Sequence, residues 1–196
     1  PTAGAEMSLL AENLVEEWMN RQGFFTIRGV RDGVAEIDLI GVRGKRDEIE
    51  GWHIESQVSF HPVSYVTPLT KKTSQRIGES KTSAWKRSPE ILTESVAAWV
   101  EKKFNSKAKA RVRERLWPGL KWKKTLVHGV VKYPEELEQI ERYIPLVSFY
   151  DVLRDLCWER HNLFAATGTD IASIVEYYEE CAAVRQRGIR MEGSKS

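Results

Sequence analysis

Cysteine is nearly absent: the chain has two, Cys157 and Cys181, each within a helix-like pattern. A disulfide framework is therefore not expected, and both read as buried thiols. Cys157 and His161 share an i, i+4 spacing, but a metal site needs more ligands than that. Long apolar runs are also missing; a stretch such as 125–131 is far below the roughly 20 residues that span a bilayer. Residues 1–7 carry no basic segment leading into an apolar one. The expectation is a cytoplasmic protein with no membrane association. No internal repeat is present, which sets aside solenoid architectures.

Net charge is small, +2, but its distribution is uneven. Residues 102–124 hold ten Lys/Arg against one acid, Glu114, whereas residues 132–181 hold four bases against eleven acids. Such asymmetry is the footprint of polyanion binding, beside the plainer reading of a solvated helix face. The hydrophobic share, 41% of 196 residues, suits one well-buried domain. The predicted organisation is a core over 1–132 with a basic insertion at 61–88, and a helical C-terminal part of the same domain over 133–196.

The pattern alternates between helix and strand. Ser8 as a cap, then Leu10, Leu14 and Trp18 with Gly23 beyond, predicts a helix over 9–21. Strands are predicted at 24–28, 34–42 and 52–60, with turns at 29–33 and around Gly44. Residues 61–88, with six bases and one acid, read as a long loop or partly mobile insertion. Ser88 and Pro89 open a helix with a stripe of Leu92, Val96, Trp99, Val100 and Phe104, continued by Ala108, Val112 and Leu116 after a break near Asn105 and Ser106. A strand at 122–131, a short acidic helix opened by Pro134, a helix capped by Ser148 and a last helix over 170–184 follow. Helix, three strands, helix, strand, helices: this order predicts an α/β fold with a mixed sheet flanked by helices.

The chemistry concentrates on two strands. Glu36 and Asp38 project opposite to Ile37 and Leu39; Glu55 and Gln57 project opposite to Ile54 and Val58. If the strands pair as a hairpin, carboxylates from both converge on one hard cation, which takes oxygen ligands and keeps waters. The segments EIDLIGV and WHIESQVSF resemble the PD-(D/E)xK nuclease superfamily, with Asp38 matching its first acid, Glu55 its second, and Gln57 standing where lysine is usual. AENLVEEWMNRQGFF is similar to the first helix of the branch containing Holliday-junction resolvases and Mrr-type restriction nucleases, and Glu12 matches its helix glutamate.

The resemblance implies a restriction-endonuclease-like domain hydrolysing DNA phosphodiesters with Mg²⁺ or Mn²⁺. Asp38, Glu55, the Ser56 carbonyl and Glu12 would hold the metal, and Gln57 would orient the nucleophile. Family habit adds a homodimer. Lys71, Lys72 or Lys81 would supply the charge missing at position 57. Lys107, Arg111 and Arg115, spaced by four, form the candidate nucleic-acid face together with Lys71 and Lys72.

Plainer readings stand beside these. Asp38 and Glu55 can be solvent-exposed acids paired with Arg43 or Lys45, Glu12 a helix-surface glutamate, His53 a hydrogen-bonded histidine, and the basic stretch a solvated helix face. The alternative function is a catalytically inactive nuclease-fold module binding nucleic acid or a protein partner; a nuclease subunit needing a targeting partner protein is a third.

Overall fold

A computed structural model describes residues 3–33, 35–59 and 61–158. The predicted helix over 170–184 lies outside them. The first helix, α1 (Ala3–Arg21), buries Ala11, Leu14, Val15, Trp18 and Met19, the spacing of one helical face. It begins before Ser8, so Ser8 is inside the helix and not its cap; Ala3, Ala5, Glu6 and Met7 are good helix formers and let it run on. Gly23, at φ 82°, ends it as expected, and the Phe24 N–H donates back to the Met19 carbonyl at 3.1 Å.

Two hairpins follow: β1 (Phe25–Asp32), β2 (Ala35–Lys45) and β3 (Glu48–Gln57). The strands are longer than the sequence pattern suggested. Pairing of β1 with β2 runs through the expected 29–33 turn to Asp32↔Ala35, with Gly33, at φ 61°, directly after the last paired residue of β1. Gly44 does not close the second turn; it pairs with Ile49, and Arg46, at φ 56°, takes the left-handed position instead. Gly41 lets α1 lie directly on β2, since a Cβ there would stand 2.5 Å from the Met19 methyl carbon.

The long connection from β3 contains α2 (Lys71–Ile77), α3 (Pro89–Val100), a π-helical turn (Glu101–Asn105) and α4 (Lys107–Leu116). The break expected near Asn105 and Ser106 is present: Ser106 has ψ 143° and its side chain accepts from the Lys109 N–H, starting α4. Then come β4 (Trp122–His128), α5 (Glu135–Glu141), β5 (Leu146–Ser148) and α6 (Phe149–Trp158). The sheet order is β1-β2-β3-β4-β5, antiparallel for the first two pairings and parallel for the last two. The expected mixed α/β architecture is what the chain adopts. The part after 133 is not purely helical, because β5 joins the sheet; three residues are too few to show a strand period.

Helices cover both faces. On one, α1 and α6 enclose Leu39, Trp52, Ile54 and Val127; on the other, α3 and α5 enclose Leu126 and α4 brings Val112 against Ile37 and Ile40. Each large apolar side chain so buried contributes roughly 1.5–3 kcal/mol. Among the described residues no helix is long and apolar enough to cross a membrane.

The insertion at 61–88 is not a loose loop. It is fastened by polar contacts that hydrophobic periodicity does not reveal. Glu136 of α5, fully buried, accepts the backbone N–H of Val66 at 2.7 Å and of Thr67 at 2.9 Å, and the Thr67 hydroxyl. Glu94 of α3 accepts from Thr73 at 2.7 Å and Arg76 at 2.9 Å. The rings of Tyr65 and Tyr133 stack at 4.8 Å.

Candidate active site

The β2–β3 ladder stops at Leu39↔Ile54. One residue further, a side chain replaces the backbone partner: the Ser56 N–H donates to Asp38 Oδ2 at 2.9 Å. The strands part where Asp38 and Glu55 stand across from each other, while β3 stays paired with β4 down to Gln57↔His128. The expected convergence of these carboxylates follows from this splayed end.

Glu55 is fully buried, not an accessible surface acid. Its Oε2 accepts from the Lys103 ammonium at 3.0 Å; its Oε1 accepts from Lys109 and from His53 Nε2, the latter at 2.8 Å. Burial alone would raise the Glu55 pKa, but the His53 hydrogen bond and the two ammonium groups outweigh it and hold the carboxyl below its usual range. It is therefore ionised. Burial pushes His53 down to about 4 against the pull of Glu55, so the ring is neutral. Its tautomer follows from the neighbours: Nδ1 accepts from Arg113 at 2.8 Å, leaving Nε2 to donate to Glu55. Arg113 also donates to the Phe104 carbonyl at 2.9 Å, which fixes the guanidinium. The reading of His53 as a hydrogen-bonded histidine fits this position, where its Nε2–H holds one oxygen of Glu55.

Asp38 behaves differently. Burial first, then the Glu55 charge and to a smaller degree that of Glu12, raise it to about 6, while Lys103 and the Ser56 N–H pull the other way. Glu12 thus lies within electrostatic reach of both Asp38 and Lys103. The ordinary pairing with Arg43 or Lys45 is not what Asp38 and Glu55 adopt; Arg43 binds Glu50 at 2.8 Å. Glu36 is drawn off to Arg31 at 2.9 Å and takes no part.

Gln57 donates from Nε2 to the Ser56 carbonyl at 2.8 Å, so that carbonyl keeps one lone pair for any further partner. The ammonium groups on Glu55 are those of Lys103 and Lys109, while Lys71 and Lys81 of the expected three line the cleft beside Gln57. Lys103 and Lys109 were hidden inside the basic stretch. In one unbroken helix, residues six apart point about 120° from each other. The π turn and the break at Ser106 rephase the chain so that both reach one carboxylate.

The remaining basic residues divide as their spacing suggests: Lys107, Arg111 and Arg115 are exposed, whereas Lys109 and Arg113 are buried. Arg111 also contacts Asp32 at 3.3 Å. Lys71 and Lys72 are exposed on α2.

Among the described residues no three His, Cys, Asp or Glu side chains form a ready-made metal cage. Asp38 and Glu55 nevertheless suit a hard cation that binds one or two carboxylates and keeps several waters. Burial first, and then the Glu55 charge, disfavour the ionised form of Asp38, and a cation there would favour it. No family model, no curated protein and no solved structure matches the chain.

Proposed function

We propose that the protein is a metal-dependent endonuclease of restriction-endonuclease-like type, hydrolysing DNA phosphodiesters. The observation that supports this most is the Lys103 ammonium on Glu55, across the parted strands from Asp38. Two carboxylates and a cation at one strand junction suit phosphoryl chemistry, in which the protein mainly positions groups and neutralises charge. The residues that would hold Mg²⁺ or Mn²⁺ are Asp38, Glu55 and the Ser56 carbonyl, with Glu12 positioning a water or adding a ligand. A divalent cation there would supply charge neutralisation at the phosphodiester and activation of the attacking water.

The chain's own groups do the rest. His53, locked by Arg113, and Lys109 hold the Glu55 carboxylate in one orientation. Lys103, half-buried and raised in pKa because its attraction to Glu55 and Asp38 exceeds the effect of burial, stays charged to meet a phosphate oxygen and orient the nucleophile. The Gln57 amide, which carries no titratable proton, orients by hydrogen bonding only. Incubation of labelled duplex, single-stranded and junction DNA with Mn²⁺ tests the reading. Cleavage lost on adding EDTA and absent in Asp38→Asn is expected; no cleavage of any substrate would favour the inactive module.

That second reading has its own observation. Both Glu55 oxygens already accept protein donors, as in a carboxylate kept for structure. A module of this kind would bind nucleic acid or a protein partner through the exposed Lys107, Arg111 and Arg115. A homodimer and a separate targeting partner belong to the nuclease reading as its expected assembly.

A further inference from the structure

A cleft of about 490 Å³ opens beside Gln57, within the range of about 300–1,000 Å³ that takes a small ligand. Lys71, Lys81, Lys102 and Lys103 line it, and no Asp or Glu is among the described residues that do. Its walls come from two parts of the chain. The insertion brings Leu69, Lys71 and Lys81; α3 and the π turn bring Trp99, Lys102 and Lys103.

The insertion's wall is set in advance. The Leu69 N–H donates to the Lys81 carbonyl at 2.9 Å, holding the two lysine-bearing segments together, and Glu136 and Glu94 fasten the insertion to α5 and α3. Little ordering is left for a ligand to impose. Between the ammonium groups the lining is mainly apolar, with Val66, Pro68 and Leu69 beside the little of the core residue Trp99 that is exposed, and Gln57 and Thr70 add polar groups. Phosphate beside a flat apolar ring is the chemistry of a nucleotide. In a continuous duplex the base faces are covered by stacking, so only a nucleotide outside the stack offers both parts to a pocket. The cleft also shares Gln57 and Lys103 with the candidate active site, which sets its occupant next to the reacting phosphate.

We propose that this cleft binds one unpaired nucleotide adjoining the phosphodiester at Asp38 and Glu55. The substrate class is then nucleic acid with an unpaired nucleotide at the cut, such as a flap, bulge or frayed end. The position of the cut rests on the nuclease reading, whereas nucleotide binding does not.

Calorimetry on the full chain with thymidine 3′,5′-bisphosphate, a thymidine trinucleotide, ATP and inorganic phosphate tests the binding. The trinucleotide and the bisphosphate are expected to bind at least about tenfold more tightly than phosphate. Lys71→Gln/Lys81→Gln, at two exposed positions, should weaken the trinucleotide about tenfold and lower its salt slope by about 1.4, at roughly 0.7 per single-strand contact. With Mn²⁺, a duplex carrying one unpaired thymidine should be cut faster than its fully paired counterpart, and the double variant should lose that preference. Binding as expected without cleavage of either duplex would support the cleft while overturning the nuclease reading. Phosphate binding as tightly as the bisphosphate, ATP exceeding the trinucleotide, or an unaffected double variant would each overturn the cleft as a strand site.

Discussion

Glu55 on β3 and Glu136 on α5 are both fully buried glutamates, yet their surroundings set them to opposite tasks. Glu55 meets two ammonium groups and an imidazole, and its carboxyl is held low. Glu136 meets two backbone N–H groups and a hydroxyl, with the Arg87 guanidinium only at 4.0 Å; burial dominates and its carboxyl is pushed up. The first is a charge kept ready at a strand junction. The second is a clamp that fastens the insertion. Burial alone therefore does not mark a site; the charge of the partners does.

The largest effect should come from Glu55→Gln. Removing the carboxylate leaves Lys109 buried and Lys103 half-buried without their counter-ion, a loss of about 3–5 kcal/mol in denaturant unfolding, with cleavage abolished. Glu136→Gln should cost less, about 1–3 kcal/mol, since it leaves a mispaired amide, and the damage should appear as proteolysis within 61–88. The pH dependence should separate the two further. A lowered carboxyl contributes stability above its ordinary value of 4.5 and loses it as pH falls through its folded value, so the cost of Glu55→Gln should shrink in acid. A raised carboxyl contributes below 4.5 and loses that contribution as pH rises through its folded value, so the cost of Glu136→Gln should shrink toward alkaline pH. Equal slopes would dissolve the distinction.

Asp38→Asn should act in the reverse sense. With Asp38 raised to about 6, its ionised form strains the metal-free protein above that pH, so the variant should gain about 1 kcal/mol there in thermal unfolding while losing cleavage. A smaller effect is expected at the exposed basic face. Replacing Lys107, Arg111 and Arg115 by Gln should flatten the salt slope of duplex binding by about two to three units without altering the fold. Lys109→Gln and Arg113→Gln should instead lower stability and cleavage, because those side chains reach Glu55 and His53.

The mixed sheet was legible because α1 and β3 show plain periods: Leu14 and Trp18 on one helix face, Trp52 and Ile54 alternating with His53 and Glu55. On β2 the expected pairing of Ile37 with Leu39 on one side fails, since Ile37 packs with Ile40 against α4. Asp38 and Glu55 could still be read as a pair, because β2 and β3 form the expected hairpin. Lys103 and Lys109 could not, since their convergence depends on a π turn that has no sequence period, although the predicted break at Asn105 and Ser106 was its trace. Residues 61–88 are the expected long loop apart from α2, but its fastening was not legible because the buried acid Glu136 lies some seventy positions away among exposed acids of an acidic helix. Polar clamps of that kind leave no hydrophobic pattern.

In the nuclease reading, Lys103 supplies at Glu55 the positive charge that position 57 of β3 lacks. Single-turnover cleavage by Lys103→Ala, compared with Lys103→Ala/Gln57→Lys, addresses it directly. The expected result is a loss of about 100-fold or more in the first variant and substantial recovery in the second, with metal dependence unchanged. Cleavage by Lys103→Ala at the parent rate, or no recovery from a correctly folded double variant, would contradict it.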